Sequence, residues 1–180
     1  MPIFKPKILV SLILPVLVLI LMRPAYGLEL ETRYATVEYE SNSALRKFNK
    51  NLHMGSLGYM LSGKQSETVE DEVRNKIDVI VEKVQTVLDM HPGDMKFKIV
   101  IRESTKGVQE EFERIYHIKV NYLAFYSPVE DTVFYSAKNT TLRIVSHEIG
   151  HVVAEKYFVV SPPVKIHEVL AQYAEHHITD

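Results

Sequence analysis

The chain has 180 residues, of which 46% are hydrophobic and 24% charged, as in an ordinary globular protein with one hydrophobic core. Three of its 21 basic residues, and none of its 23 acidic ones, fall in residues 1–27, which leaves 18 basic residues and a net charge of −5 beyond them. Because binding to a phosphate backbone needs clustered Lys and Arg, this balance argues against nucleic acid as a partner. The chain has no cysteine, so disulfides are excluded and any metal must be held by His, Asp and Glu.

Residues 1–27 have the features of an export signal. Two lysines precede an apolar run of 15 residues, Ile8 to Met22, and Ala25 and Gly27 are the small residues that a signal peptidase recognises. Cleavage is therefore expected before Leu28. The alternative is an uncleaved N-terminal anchor, although a spanning helix needs about 20 apolar residues. In both cases the rest of the chain is expected to be exported, to the periplasm or the medium, and to meet the membrane only through this segment if it is kept.

The first half of the remaining chain predicts two strands and two helices. The helix capped by Thr68 is the clearest element, because apolar residues recur at helical spacing and Asp71 stands where a capping box needs an acceptor. It is expected to end before His91-Pro92-Gly93. The predicted elements are, in order, a strand at 30–39, a short helix at 43–53, a loop at 55–63, the helix from Thr68 to Leu88, and a strand at 95–102.

The second half predicts two short strands and three helices. Ser161-Pro162-Pro163 separates the last two helices, because consecutive prolines cannot continue a helix. Strands and helices do not alternate regularly, so the predicted fold class is α+β. The predicted elements are a helix from Ser104 to Tyr116, strands at about 120–126 and 132–136 joined by a hairpin loop, a helix from Asn139 or Thr140 to about Tyr157, and a helix from Val164 to His177.

The penultimate predicted helix contains the sequence His147-Glu148-Ile149-Gly150-His151. Two histidines four residues apart project from one helix face, with Cβ atoms roughly 5–6 Å apart, so both can bind one Zn²⁺ ion. Glu148 is rotated about 100° from the first histidine and reaches a zinc-bound water rather than the metal, so it can take the proton of that water. The competing interpretation is an exposed polar helix face.

Two further features favour the metal site. An apolar stripe made by Leu142, Val145, Ile149 and Val152 indicates that this helix packs into a core. Gly150 is a poor helix former, costing about 0.8–1.0 kcal/mol relative to Ala. A small residue there predicts that another element packs close to that turn.

A catalytic zinc ion needs a third protein ligand. Ala154 and Tyr157 stand where the pattern HExxHxxGxxH requires Gly and His, which argues against that pattern. Glu168 fits best, because the proline pair reverses the chain and antiparallel packing would return its carboxylate to the two imidazoles. Glu155 lies about 12 Å along the helix axis from His147, so it is expected to face solvent or to support a ligand. The rival third ligands are Glu175, His167, His176 and His177.

The segment from Thr132 to Glu175 resembles the gluzincin, or peptidase-MA-like, zinc metallopeptidases. In that family a helix of the form P-x-W-L-x-E-G-x-A-x-Y follows the HExxH helix. Val169 and Lys165 depart from the pattern, where Gly and an aromatic residue are usual. Four positions match: Pro163, Glu168, Ala171 and Tyr173. The resemblance implies that residues 28–180 form a single zincin-like domain, with a small mixed sheet, an HExxH helix and a C-terminal helix that carries the third ligand.

The resemblance also implies residue roles. One zinc ion would be held by His147, His151 and Glu168, with Glu148 as the general base that hydrolyses a peptide or protein substrate. The strand before the HExxH helix would bind that substrate as an added antiparallel strand. This strand consists of Thr132, Val133, Phe134, Tyr135 and Ser136. Alternating strand packing is the other interpretation of its two aromatic residues.

Two residues after the third ligand are candidates for support of the site. Tyr173 could stabilise the oxyanion, and Gln172 could hold a ligand histidine in place. Two alternatives to an active peptidase stay open: a noncatalytic zinc-binding domain with a regulatory or binding role, and a latent enzyme whose zinc is covered by residues 28–60 or by the C-terminus. The intact Glu148 favours the enzyme, because a structural zinc site needs no general base.

Overall fold

A computed structural model describes residues 28–180. The predicted export signal, residues 1–27, lies outside the described residues. Within the described part, no helix is long and apolar enough to cross a membrane.

The predicted α+β class is confirmed, with a small mixed sheet of five strands and helices packed on it. The elements in chain order are β1 (Leu28–Glu31), β2 (Ala35–Tyr39), α1 (Asn42–Asn51), a 3-10 helix (Gly55–Leu61), α2 (Val69–Leu88), β3 (Phe97–Arg102), α3 (Thr105–Tyr116), β4 (Ala124–Ser127), β5 (Thr132–Ser136), α4 (Leu142–Tyr157) and α5 (Val164–His177).

The strand order in the sheet is β1-β2-β3-β5-β4. Strands β2, β3 and β5 are parallel to one another, and β1 and β4 add to the two sides in the antiparallel sense. Strand β5 therefore lies between β3 and β4, and all five of its residues are buried. The prediction that a substrate strand adds along Thr132–Ser136 is wrong, because β4 already pairs with that side of β5. The free edge on this side of the sheet belongs to β4.

The single strand predicted at 30–39 is also wrong, because the chain reverses in its middle. The side chain of Thr32 accepts hydrogen bonds from the backbone N–H groups of Tyr34, at 3.1 Å, and Ala35, at 2.8 Å. The backbone N–H of Arg33 donates to Asp78 of α2 at 3.0 Å. These hydrogen bonds stabilise a turn at residues 32–34, so the segment forms two antiparallel strands, β1 and β2, and not one continuous strand.

Several other boundaries differ from the predictions by a few residues. The predicted strand at 120–126 is confined to β4, and the predicted loop at 55–63 contains the 3-10 helix. Helix α4 begins later than expected because Thr141 caps it, with its hydroxyl accepting from the N–H of Ile144 at 3.3 Å. The capping box predicted between Thr68 and Asp71 is confirmed.

The sheet separates two groups of apolar side chains. The larger core joins one face of the sheet to α1, α2 and α4, and it contains Phe97, Ile99 and Ile101 of β3 together with Met95 just before that strand. The smaller core lies on the opposite face under α3 and contains Val100, Val108, Phe125 and Phe134. Helices α3 and α4 therefore lie on opposite faces, and both lie beside β4 at the free edge.

Helices α4 and α5 approach most closely at Gly150. A Cβ atom at that position would lie 2.9 Å from the Cα atom of Ala171 and 3.3 Å from the Cβ atom of Ala174. Real Cβ atoms do not approach a backbone atom so closely, because the van der Waals repulsion is too large. The close packing that the sequence predicted at this turn is confirmed.

Candidate metal centre

The structure brings together the three predicted ligands on two neighbouring helices. His147 and His151 lie one turn apart on α4, with ring centroids separated by 5.0 Å. Glu168, on α5, lies across from both: its two oxygens are each 3.7 Å from an imidazole Nε2, one of His147 and one of His151. One ligand atom from each of the three residues lies within 4.8 Å of the others.

These distances fit a single metal ion. A tetrahedral ion with ligands at about 2.0–2.1 Å separates them by roughly 3.4 Å, so the two contacts of 3.7 Å are a few tenths of an ångström longer, and the three ligand atoms, which lie within 4.8 Å of one another, would have to move closer to bind the ion. Two imidazoles and one carboxylate also leave a fourth position for water or substrate. His147, His151 and Glu168 therefore form a group that could hold a metal ion.

A carboxylate orients the first histidine. The Nδ1 atom of His147 lies 3.1 Å from Oε2 of Glu175, and the other oxygen of Glu175 accepts from Nε of Arg143 at 3.2 Å. When the Nδ1–H group of His147 donates a hydrogen bond to Glu175, its Nε2 atom carries the lone pair, which faces Glu168 and His151. The sequence suggested Glu175 only as a rival for the third metal ligand. Its spacing of seven residues from Glu168, close to two helical turns, is the signal that places both on one face.

Replacing Glu175 by Gln tests this orienting contact. The amide keeps the size of the side chain but holds the imidazole more weakly, so metal affinity should fall about 10–100-fold, the range for such partners of metal-binding histidines. Competition titration with a chromophoric chelator measures this affinity. The matched control is Glu110→Gln, because Glu110 is exposed on α3 and, within residues 28–180, forms an ion pair with the exposed Lys106 alone. Equal affinities for both variants would contradict the orienting role.

The two residues predicted to support the site, Gln172 and Tyr173, make different contacts from those predicted. The amide of Gln172 donates to Oε1 of Glu168 at 2.9 Å, so it holds the carboxylate rather than a ligand histidine. Tyr173 is half exposed, and its ring packs on His177 at 4.3 Å between centroids. It does not line the cavity described below. No contact of Tyr173 supports a role at an oxyanion.

Glu148 is buried beside the ligands. Burial of its carboxyl group raises the pKa of Glu148 to about 8, and the backbone N–H of Tyr126 in β4 opposes that shift by bonding to the charged form. The negative charge of Glu168 raises the pKa further. A divalent cation at the three ligands acts in the opposite direction, because its charge favours the ionised carboxylate.

His151 is in the protonation state that a metal requires. Burial lowers the pKa of His151 to about 4, and the neighbouring His147 lowers it further. The imidazole is therefore neutral at pH 7. A neutral imidazole binds a metal ion without first losing a proton.

A cavity of about 680 Å³ opens beside the three ligands. Its lining includes His167, which the sequence suggested only as a rival ligand. The Nε2 atom of His167 lies 3.0 Å from Glu155 and 3.2 Å from the hydroxyl of Ser161. The hydroxyl of Ser161 also donates to Glu155 at 2.7 Å. Glu155 therefore holds His167 in place at the wall of the cavity and does not simply face solvent.

The segments suggested to cover a latent site lie away from it. The cavity is lined by residues between Phe112 and Glu168, so neither 28–60 nor the C-terminus contributes to its wall. The chain end is bound elsewhere: Ile178 is buried in the larger core, and Lys83 donates to the carbonyl of Asp180 at 2.7 Å. In the described part of the chain, these segments do not cover the ligands.

Comparison of the chain with protein-family models, with curated proteins and with solved structures finds no match. The resemblance to gluzincins therefore stays a prediction. A fold alone does not define a function, so the chemistry of the site itself supports the proposal made below.

Proposed function

We propose that the protein is a zinc-dependent peptidase of the gluzincin type that hydrolyses peptide bonds outside the cytoplasm. The observation that carries the proposal is the convergence of His147, His151 and Glu168 within 4.8 Å, in a cavity that also contains the buried carboxyl group of Glu148. A pocket that contains perturbed carboxyl groups beside a possible metal site is the usual location of catalysis.

The donor set is one that catalytic zinc uses, and it disfavours magnesium and calcium. Two imidazole nitrogens and one carboxylate are the ligands of catalytic zinc in hydrolases, whereas magnesium and calcium prefer oxygen ligands alone. When bound, zinc would polarise the scissile carbonyl and lower the pKa of a water molecule at its open position. The side chains of His147 and His151 are 20% and 19% exposed, and that of Glu168 is 47% exposed, so the ligands remain open toward the cavity.

Glu148 serves as the general base in this proposal. Its carboxylate accepts a proton from the attacking water and returns it to the nitrogen of the departing amine. Burial supports both steps, because a carboxyl group whose pKa lies near neutrality exchanges protons readily in both directions. The N–H of Tyr126 keeps the carboxylate facing the cavity while it does so.

The free edge of β4 would hold the substrate backbone. The carbonyl of Leu123 accepts from the N–H of Ser136 on the neighbouring strand, at 3.2 Å. Because antiparallel residues alternate between bonding the neighbour and facing away, Ala124 and Tyr126 direct their backbone groups to the open side. The N–H of Tyr126 is bonded to Glu148, so an extended peptide could add as a sixth strand through the N–H and carbonyl of Ala124 and the carbonyl of Tyr126. This assigns to β4 the role that the sequence suggested for Thr132–Ser136.

A noncatalytic zinc-binding domain is the second candidate. It is favoured by the contacts of the tyrosine beside the ligands and of the tyrosine suggested for the oxyanion: the hydroxyl of Tyr126 donates to Asp131 at 3.1 Å, and the ring of Tyr173 packs on His177 outside the cavity. Neither contact places a hydroxyl group at an oxyanion. Hydrolysis distinguishes the two candidates, since both predict bound zinc.

The test measures metal content and cleavage together on the full-length chain. We expect about one zinc ion per chain and slow cleavage of a reduced and alkylated protein, which 1,10-phenanthroline stops and added zinc restores. Glu168→Ala should lose both zinc and cleavage. Zinc-loaded protein that cleaves no unfolded substrate would contradict the peptidase and support the noncatalytic domain. Protein that binds no zinc would contradict both.

A further inference from the structure

The cavity beside the ligands continues around the edge of the sheet. Ala124 and Tyr126 of β4 pack toward the larger core and α4, whereas Phe125 points to the opposite face and packs in the smaller core. Residues from both faces line the same cavity. The edge strand β4 therefore lies between the candidate ligands on one face and the aromatic wall of the cavity on the other.

That second wall is made of aromatic rings, which we call the aromatic shelf: Phe112, Tyr116 and Tyr122. The ring of Phe112 lies at its centre, with centroids 4.6 Å from Tyr116 and 5.1 Å from Tyr122. Phe125 supports it from the sheet, 5.0 Å from Phe112. The shelf is fixed in place, because the hydroxyl groups of Tyr116 and Ser127 lie 2.8 Å apart and hydrogen-bond. Rigid aromatic rings bind apolar groups at a low cost in conformational entropy.

The shelf remains accessible and carries no free charge of its own. Tyr122 is 48% exposed, a large fraction for an aromatic side chain that lies beside a cavity. The nearest cation on the same helix, Arg114, forms a bidentate pair with Glu130, at 2.8 Å. An apolar side chain of a ligand would be removed from water against the rings.

Strand geometry connects this shelf to the bound peptide. Successive side chains of a strand point to opposite faces, with a period of two residues. In a peptide added to the edge of β4, one set of alternate side chains faces α4 and the ligands. The other set faces α3, where the aromatic shelf lies.

We propose that the aromatic shelf selects large apolar side chains at alternate positions of an extended peptide bound along β4. The inference rests on the proposed function in one respect, that such a peptide binds at this edge. It adds a substrate class: unfolded or extended segments with aromatic or long aliphatic residues spaced by two.

The test separates binding from hydrolysis. It uses the full-length Glu148→Gln variant with zinc and two fluorescein-labelled peptides of ten residues with the same composition. One carries two Phe residues separated by one residue, and the other carries them adjacent. Because only the first can place both rings on one side of the strand, fluorescence anisotropy should give it roughly tenfold higher affinity.

Variants of two exposed tyrosines assign the effect to the shelf. Tyr122→Ala should remove most of the difference between the two peptides. Tyr59→Ala should retain it, because Tyr59 is 73% exposed on the 3-10 helix and does not line the cavity. Zinc content checks that both variants keep the site. Equal affinity of the two peptides, or a difference that survives Tyr122→Ala, overturns the inference.

The outcomes also distinguish the two proposals. If the spaced peptide binds through Tyr122 but the wild-type chain hydrolyses nothing, the shelf stands as a peptide-binding site and the peptidase proposal fails. If the wild-type chain hydrolyses unfolded protein without any preference at alternate positions, the shelf fails alone. Sequencing of the cleavage products gives that preference directly.

Discussion

Glu148→Gln is expected to abolish hydrolysis while zinc stays bound. The amide has the size of the carboxyl group but cannot accept a proton from water, and general base catalysis contributes about 10²–10⁴-fold to a rate. The ligands are unaffected, because Glu148 is not one of the three groups that converge. Cleavage of a quenched fluorescent peptide measures the loss, and plasma mass spectrometry measures the zinc content.

Stability provides a second reading of the same variant. Burial penalises the charged form of Glu148, so the neutral amide removes that penalty and should leave the unfolding temperature unchanged or higher. The control is Glu110→Gln, an exposed residue whose loss should alter neither rate nor zinc content. Hydrolysis at the wild-type rate by Glu148→Gln would refute the role of general base. Loss of zinc would instead show that Glu148 supports the ligands.

The group that could hold a metal ion was predictable from the sequence because the geometry of its two histidines is local. Two histidines four residues apart share a helix face wherever the helix lies, so His147 and His151 needed no knowledge of the fold. Glu168 needed one further step, the reversal at the proline pair. The structure places α4 and α5 together, which brings its carboxylate to both imidazoles.

The order of strands could not be found in the same way. A fully buried strand such as β5 has the same apolar character whether its neighbour is a substrate or another strand. The pairing of β4 with β5 is decided by the turn at 128–131 and by the aromatic packing of Phe125 on Phe134, at 4.7 Å. Hydrophobic periodicity indicates which face of the sheet each side chain points to, but it does not indicate which strand lies alongside.

Contacts between side chains of different helices could not be predicted from the sequence either. The support of His147 by Glu175 depends on the rotation of α5 about its axis, which is set by Ala171 and Ala174 packing on Gly150. A single small residue in the sequence indicated a close approach and did not identify the partner. The same contact therefore links the packing of the two helices to the positions of Glu168 and Glu175, the residues of α5 that face the two histidines.

Gly150→Ala tests that link. Alanine is the better helix former by about 0.8–1.0 kcal/mol, so an isolated helix would be stabilised. Here its Cβ atom would lie 2.9 Å from the backbone of Ala171, and α5 must move away. Overpacking of this kind costs about 1–3 kcal/mol, so urea denaturation of the metal-free protein should show a net loss of stability. Gly150→Val should lose more.

Metal affinity should fall in the same order, because moving α5 away carries Glu168 from the two imidazoles. Gly58→Ala is the control, since its Cβ atom would meet no atom within 4 Å, and its effect on stability should stay within about 0.5 kcal/mol. A Gly150→Ala protein that is more stable than the wild type and binds zinc equally well would contradict the argument. Helix propensity would then outweigh the contact, and the distance between α4 and α5 would not control the spacing of the ligands.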